Sequence, residues 1–363
     1  MPPDEPGRTA PRAGRGAIGA LDGLRAIAVA LVLLEHLPEH LLFAPLASFA
    51  KAVPCGYLGV DLFFVLSGFL ITRILIVDRA EGVPVRWFLA RRALRIFPAF
   101  YLLVAVTWLT WGGPQMPWVA TYTVNYWIGT GHSAAFLQHT WSLAVEEHFY
   151  LLWPLAMAFG PRRLLLPIAA AGLIPLAIGL SLWLVLALEV PTGFNLVMYG
   201  TQSRMLSLLL GACLAFREQA WRGAGRGADL LAACAVGAGV LTISLTRGEL
   251  GVALAIGRYL GSAIGCTGVI VLAVRSADRR GLSARALDWR PLAHLGRISY
   301  GIYLYHNPVI FLIGYQTVKR GGEINSWHAA GAVALTLIFA ELSFWLWERP
   351  FLRLKRHFSA NGR

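Results

Sequence analysis

The ionisable residues of this sequence that could do chemistry lie inside its most apolar stretches. The first of these stretches, LDGLRAIAVALVLLEH, carries Arg25 near one end and His36 at the other. A helix turns by about 100° and rises by about 1.5 Å per residue, so the two side chains share a face and lie about 16 Å apart along it. A neutral imidazole titrates near physiological pH, which makes His36 a candidate general base.

Five other apolar stretches carry ionisable side chains at a similar predicted depth. These residues are Asp61, Glu146, Glu147, Arg204, Arg258 and His306, and Ser142 lies one turn from Glu146 on the same helix face. A charged side chain at the centre of a bilayer costs about 2.5–3.5 kcal/mol, so such residues usually mark a functional site. We expect them to face one another across a polar cavity.

Structural roles remain open for the same residues. Glu146 or Glu147 can be the buried partner of an arginine, and Asp61 can cap the outer end of its helix. His306 precedes Asn-Pro, where it can cap or kink a helix. Glu35 points about 100° away from His36, which suits a hydrogen bond between packed helices.

The segment RWFLARRALRIFP places a ridge of arginines before the third apolar stretch. Arg91 and Arg95 are four residues apart, and Arg92 and Arg95 are three apart, so their side chains are neighbours on a helix. Ordinary cytoplasmic charge is one interpretation. Phosphate binding is the other, because guanidinium forks suit phosphate. The sequence contains no P-loop or GxGxxG segment that offers another phosphate site.

Hydropathy predicts the helices that must position these residues. Of 363 residues, 57% are hydrophobic and 14% are charged, against about 25% charged in soluble domains. We predict an all-α polytopic membrane protein with about ten transmembrane helices around a polar central cavity. The predicted spans are 21–43, 56–77, 94–112, 140–160, 163–188, 196–216, 229–246, 250–274, 296–316 and 328–348. The stretch 115–128 favours an interfacial or re-entrant piece, with an eleventh crossing left open.

The net charge of +13 is distributed unevenly along the chain. The predicted outer loops hold only Lys51, Arg247, Lys319 and Arg320, and the spans hold Arg204 and Arg258. The other basic residues lie in predicted cytoplasmic segments or at the inner membrane edge. This asymmetry predicts a multi-pass protein of the inner (plasma) membrane with both termini in the cytoplasm, and it does not suggest a nucleic-acid partner.

The chain divides into one long membrane domain and two short tails. The Pro- and Gly-rich residues 1–20 predict a disordered cytoplasmic tail, residues 21–351 the transmembrane domain, and residues 352–363 a basic cytoplasmic tail. The four cysteines are scattered without CxxC spacing, so the sequence indicates neither a metal site nor a disulfide framework.

Six segments together resemble the acyltransferase-3 family of integral membrane acyltransferases, which acylate sugars on bacterial surface polysaccharides and some secondary metabolites. The segments are LDGLRAIAVALVLLEH, GVDLFFVLSGFLIT, RRALRIFP, WSLAVEEHFYLLWP, ISYGIYLYHNP and AELSFWLWERPF, in this order from Leu21 to Phe351. Two positions, Glu35 and His148, depart from the family pattern. The spans between 163 and 275 match only in hydropathy, so we expect acceptor specificity there and in the outer loops.

The resemblance implies an O-acyltransferase that uses a cytoplasmic acyl-CoA, with acetyl-CoA expected, and no permanently bound cofactor. Arg92 and Arg95 would hold the phosphates of the donor at the cytoplasmic mouth. His36 would act as general base on a hydroxyl group of a carbohydrate or glycosylated acceptor, with Glu146 orienting the imidazole by its family position. A covalent acyl-His36 intermediate is an open alternative.

The remaining polar residues would surround these groups. Arg204 or Arg258 could stabilise the oxyanion. The other expected substrate- and donor-binding residues are Arg25, Asp61, Ser142, Glu147 and His306. The alternative function is a proton-coupled transporter that uses the same polar layer. It is disfavoured because the halves show no inverted repeat and the motif residues cluster in spans 1–4 and 9–10.

Overall fold

The computed structural model describes residues 15–38, 41–42, 44–53, 55–188, 192–246 and 252–358. None of these residues lies in a β-strand. A 3₁₀ turn, Ala135–Leu137, precedes the last helix of the first half of the chain. The helices of that half are α1 (Arg15–His36), α2 (Ala44–Ala52), α3 (Cys55–Ala80), α4 (Val85–Thr110), α5 (Met116–Ala120), α6 (Val124–Gly129) and α7 (Thr140–Phe159).

The second half of the chain is also helical. Its helices are α8 (Arg162–Pro167), α9 (Ile174–Ala187), α10 (Thr192–Tyr199), α11 (Thr201–Phe216), α12 (Glu218–Gly223), α13 (Arg226–Leu245), α14 (Val252–Asp278), α15 (Leu282–Leu287), α16 (Arg290–Arg297), α17 (Ser299–Lys319), α18 (Ser326–Leu342) and α19 (Arg349–Leu354). Single π-helical turns, Ile168–Leu173 and Ser343–Glu348, precede α9 and α19. Each comes two residues before a proline, whose missing N–H leaves a carbonyl in the turn without its α-helical donor.

Each of the ten predicted spans overlaps one helix or a run of consecutive helices. The first span continues past the end of α1 at His36, and residues 39–40 and 43 lie outside the described residues. The largest difference is in the third span, because α4 begins at Val85, well before residue 94. The first turns of α4 carry the arginine ridge, and their charge leaves them outside a span predicted from hydropathy although they are helical. Among the described residues, six segments are long and apolar enough to cross a bilayer: Gly56–Ala80, Val85–Thr110, Arg163–Ala187, Arg226–Leu245, Ile256–Asp278 and Ser326–Phe358. The chain is a multi-pass helical membrane protein, and the count of ten crossings stays a prediction.

The segment 115–128 forms two short helices. Helix α5 has five residues and α6 has six, so neither can cross a hydrocarbon core of about 30 Å at about 1.5 Å per residue.

Helical structure extends into both predicted tails, and the division of the chain into domains stays a prediction. Helix α1 begins at Arg15, so residues 15–20 are helical, while residues 1–14 lie outside the described residues. At the other end, a 3₁₀ turn extends the helical structure to Phe358, and residues 359–363 lie outside the described residues.

Helix α1 contacts α3, α14, α15, α16 and α17. Its neighbour α3 also approaches α11 closely at two glycines. A Cβ added to Gly68 would lie 1.9 Å from the carbonyl oxygen of Leu208, and one added to Gly211 would lie 2.1 Å from that of Val65. Only glycine permits such a close approach of two helix backbones.

Glu35 connects α1 to α3. Its Oε2 accepts a hydrogen bond of 3.0 Å from the backbone N–H of Gly56, in the first turn of α3. A carboxylate at a helix N-terminus satisfies an unpaired N–H and complements the helix dipole. The helix-packing interpretation of Glu35 is therefore confirmed.

Candidate active site

A cavity lies between α1, α3, α4, α7 and the first turns of α17. Its lining includes six of the residues singled out from the sequence: Arg25, Arg92, Arg95, Ser142, Glu146 and Glu147. Its other polar lining residues are Ser67, Tyr150, Ser299, Tyr300 and Tyr303. The fold thus brings side chains from distant parts of the sequence into one space.

Two arginines of α4, Arg92 and Arg95, line the cavity together with Glu146 and Glu147. Within the described part of the chain, neither Arg92 nor Arg95 has a carboxylate at ion-pair distance. The guanidinium of Arg92 lies 5.2 Å from the ring centroid of Tyr150, which holds it against the cavity wall. Arg91 is different, because it pairs with Asp78 on α3. Positive charge without a partner at a cavity wall favours binding of an anionic ligand.

The two glutamates of α7 differ in their surroundings. Glu146 Oε1 accepts a hydrogen bond of 2.6 Å from the hydroxyl of Ser67, and the hydroxyl of Tyr150 donates to the same serine oxygen at 3.1 Å. Glu147 Oε1 is buried and has no hydrogen-bond partner among the described residues. An acceptor left unpaired beside a cavity is available to a donor group of a ligand.

His36 is oriented by its own helix. Its Nδ1 lies 2.9 Å from the carbonyl oxygen of Val32. A carbonyl only accepts, so in the neutral ring Nδ1 carries the proton and Nε2 keeps the lone pair that a general base needs. The expected contact between His36 and Glu146 does not occur among the described hydrogen bonds, because Glu146 faces Ser67.

His306 lies outside the cavity wall, contrary to the expectation that it binds substrate. Its ring is 1% exposed and lies 4.7 Å from that of His36. The connection to the cavity runs through Tyr303, whose ring lies 5.4 Å from that of His306. The hydroxyl oxygen of Tyr303 lies 2.5 Å from Ser142 Oγ. The Tyr303 hydroxyl group donates a hydrogen bond of 2.8 Å to the carbonyl oxygen of His139.

Sequence reasoning missed several of these neighbours. His139 directly precedes α7, and it fell one residue outside the predicted span 140–160. The sequence offers one signal for His139: it lies three residues before Ser142, a spacing that puts two side chains on the same face of a helix. Tyr150 and Tyr303 lie in the interior of the predicted spans 140–160 and 296–316 and were not singled out from the sequence.

Asp61 and Arg204 form a buried ion pair with each other, which corrects their assignment to substrate binding and oxyanion stabilisation. Arg204 Nη2 lies 2.9 Å from Asp61 Oδ1, and the hydroxyl of Ser207 donates to the same oxygen at 3.0 Å. The two side chains are 2% and 0% exposed. The guanidinium also lies 4.4 Å from the ring centroid of Tyr259. Each charge is therefore neutralised inside the helix bundle.

Arg258 also has a structural partner instead of a place in the polar layer. Its guanidinium donates to the carbonyl oxygen of Thr246, the residue that follows α13. Basic side chains commonly satisfy the free carbonyls at helix C-termini. The ionisable residues that were expected to face one cavity are therefore divided among separate contacts. Side chains at the same depth in the membrane can point towards different neighbouring helices.

Comparison with known proteins agrees with the motifs in these helices. A family model described as an acyltransferase domain matches residues 18–345. The chain belongs to the acyltransferase-3 family of membrane enzymes. The match covers every helix that lines the cavity, including nearly all of α1. No solved structure matches this acyltransferase domain.

The acyltransferase domain is similar to several named enzymes. It is 31% identical to the peptidoglycan O-acetyltransferase OatA of Listeria monocytogenes, over 93% of this chain and 56% of the relative. It is 33% identical to the putative peptidoglycan O-acetyltransferase YrhL of Bacillus subtilis, over 92% of this chain and 54% of the relative. It is 30% identical to the O-acetyltransferase OatA of Staphylococcus aureus, over 91% of this chain and 56% of the relative. The chain spans about half the length of these relatives.

The pairing of Asp61 with Arg204 predicts a large loss of stability in Arg204→Ala. The substitution leaves the Asp61 carboxylate buried without its partner, which costs about 3–5 kcal/mol in comparable pairs. Thermal unfolding of the detergent-purified variant measures the loss. A double variant, Asp61→Asn with Arg204→Gln, removes both charges and is expected to recover much of the stability.

Arg258→Ala is the matched control, since it removes hydrogen bonds to Thr246 and leaves no charge unpaired. We expect a cost of about 1 kcal/mol for it. An Arg204→Ala protein with unaltered stability and no acyl transfer would contradict the structural role and return Arg204 to the substrate site.

Proposed function

We propose that this acyltransferase domain moves an acyl group from a cytoplasmic acyl-CoA to a sugar hydroxyl on the opposite side of the membrane. The observation that carries the proposal is the cavity, where Arg92 and Arg95 make no direct ion pair among the described residues and Glu147 Oε1 has no hydrogen-bond partner. Such a cavity suits a ligand with an anionic end and a polar, hydrogen-bonding arm.

Coenzyme A has that character, because its phosphates are anionic and its pantetheine arm carries amide groups. Arg92 and Arg95 lie in the first turns of α4, and Arg25 lies on the opposite wall in α1. We assign the phosphates to these arginines. Glu147 Oε1 would accept hydrogen bonds from amide groups of the arm, and Ser142, whose Oγ already contacts the Tyr303 hydroxyl, would line its path. The arm would run along α1 towards His36, about 16 Å from Arg25 by the helix rise.

His36 Nε2 is the proposed general base. It would take the proton of the acceptor hydroxyl while the oxygen attacks the thioester carbonyl. The new ester C–O bond forms, the C–S bond breaks, and the proton passes from His36 to the sulfur of the leaving thiol. The fixed tautomer supports this role, because the lone pair is already on the nitrogen that Val32 does not engage.

The names of the relatives support the acetyl group as the acyl unit and a peptidoglycan sugar as the acceptor. The asymmetry of basic residues supports an inner-membrane location with both termini in the cytoplasm. The transporter alternative receives no support, because the matching relatives are named transferases.

The assignment of Arg92 and Arg95 predicts a defect in donor binding. Loss of a charge-assisted hydrogen bond costs about 1.5–3 kcal/mol, so Arg92→Ala and Arg95→Ala are each expected to raise the KM for acetyl-CoA about 10- to 100-fold. Lysine at either position keeps the charge and is expected to restore part of the affinity. Acetyl transfer by purified protein, measured against acetyl-CoA concentration, gives these values.

Arg86→Ala is the matched control, since Arg86 lies exposed at the start of the same helix. Its KM is expected to equal that of the unaltered protein. Unchanged donor affinity in the Arg92→Ala and Arg95→Ala double variant would leave the ridge as ordinary cytoplasmic charge.

The assignment of His36 predicts a defect in the chemical step alone. His36→Ala is expected to insert into the membrane, since it removes a polar group from α1, and to bind acetyl-CoA, since the arginines are distant. Transfer is expected to fall by the 10²–10⁴-fold typical of a lost general base. Transfer rate and donor affinity, measured on the same preparation, separate the two effects.

The control is His132→Ala, because His132 is exposed in the loop that follows α6. It is expected to transfer at the normal rate. A folded His36→Ala protein with near-normal transfer would remove His36 from the mechanism.

A further inference from the structure

Three histidines from three parts of the chain contact one another in series. His36 ends α1, His306 lies in α17, and His139 directly precedes α7. The ring centroids of His36 and His306 are 4.7 Å apart, and those of His306 and His139 are 4.9 Å apart. We call these three residues the histidine cluster. The proposed function uses only the first of them.

Backbone carbonyls fix the tautomer of each ring. His306 Nδ1 lies 2.6 Å from the carbonyl oxygen of Tyr303, and His139 Nε2 lies 3.1 Å from that of Leu304. His36 Nδ1 is bound to the carbonyl of Val32 in the same way. Because carbonyls only accept, the bound nitrogen of each neutral ring carries the proton. The other nitrogen keeps a lone pair.

Two of these lone pairs are buried without a donor. His306 Nε2 and His139 Nδ1 have no hydrogen-bond partner among the described residues, and the two side chains are 1% and 2% exposed. A buried acceptor that receives no hydrogen bond is unfavourable and is rare without a functional reason.

Among the described residues, no carboxylate lies at ion-pair distance from the cluster, where it could stabilise a protonated histidine. The histidine ion pair described elsewhere joins His294 to Glu341. The ring of Tyr303 contacts those of His139 and His306, and Glu146 is engaged by Ser67. Within the described residues, a protonated His36 is therefore left with the unpaired acceptors of the cluster.

We propose that His306 and His139 are positioning residues whose unpaired acceptors stabilise the imidazolium that His36 forms when it takes the proton of the acceptor hydroxyl. This inference rests on the proposed function. As the hydroxyl oxygen attacks the thioester, its proton moves to His36 Nε2, and the lone pairs of His306 and His139 stabilise the resulting charge. When the C–S bond breaks, the proton passes to the thiolate sulfur, and all three rings are neutral again.

A double-mutant cycle between His139 and His36 tests the proposal. Glutamine at position 139 retains an amide N–H for the carbonyl of Leu304 but cannot bind a proton. His139→Gln is expected to lower kcat roughly 10- to 100-fold, less than loss of the base itself, without changing the KM for acetyl-CoA. In the His36→Ala background, His139→Gln is expected to cause no further loss, because the imidazolium that His139 would stabilise is absent.

His132→Gln is the control, since His132 is exposed and stacks on Trp127 outside the cluster. It is expected to leave kcat unchanged. If His139→Gln does not accumulate, His306→Gln makes the same test, because its amide can donate to the carbonyl of Tyr303.

Three results would overturn the inference. They are a normal kcat in His139→Gln, an equal fractional loss in both backgrounds, and a rise in KM in place of a fall in kcat. Absence of transfer by the unaltered protein would instead overturn the proposed function, and the inference with it.

Discussion

An ionisable side chain inside the apolar layer of a bilayer needs a partner or water, and this constraint divides the polar residues of the bundle into two groups. Asp61 and Arg204 neutralise each other in the packed interior. Arg92, Arg95 and Glu147 retain unpaired groups and line the cavity between α1, α3, α4, α7 and α17. The groups left without an internal partner mark the place where a ligand would complete the site.

Helix α1 connects the two ends of that site. Arg25 lies in the cavity wall, and His36 lies at the end of the same helix, in contact with His306. The helix rise fixes the separation between these two side chains along α1. The contacts of α1 with α3, α14, α15, α16 and α17 hold the helix in place. The neighbouring Glu35 bonds to the first turn of α3, which anchors the end of α1 that carries His36.

Much of the architecture could be predicted from the sequence, because long apolar stretches have few stable alternatives to helices in a membrane. The arginines of spans 1 and 3 were expected about 15–20 Å from Glu146 and Glu147 by the helix rise, but all of these residues line one cavity, and His36, expected in one layer with the glutamates, is not among its lining residues. Depth along a helix could not show which ionisable groups pair, so Asp61 and Arg204 were assigned to substrate. His139 was missed because it precedes its span by one residue. The role of Val32 in orienting His36 depends on a backbone carbonyl, which no side-chain pattern reveals.

The central claim is that donor and acceptor approach the site from opposite sides of the membrane. Proteoliposomes of known protein orientation, with labelled acetyl-CoA on one side and a peptidoglycan glycan fragment on the other, test it most directly. We predict that label reaches the glycan only when acetyl-CoA is on the side of Arg92 and Arg95 and the glycan is on the opposite side. Transfer that requires both substrates on the same side would contradict this account.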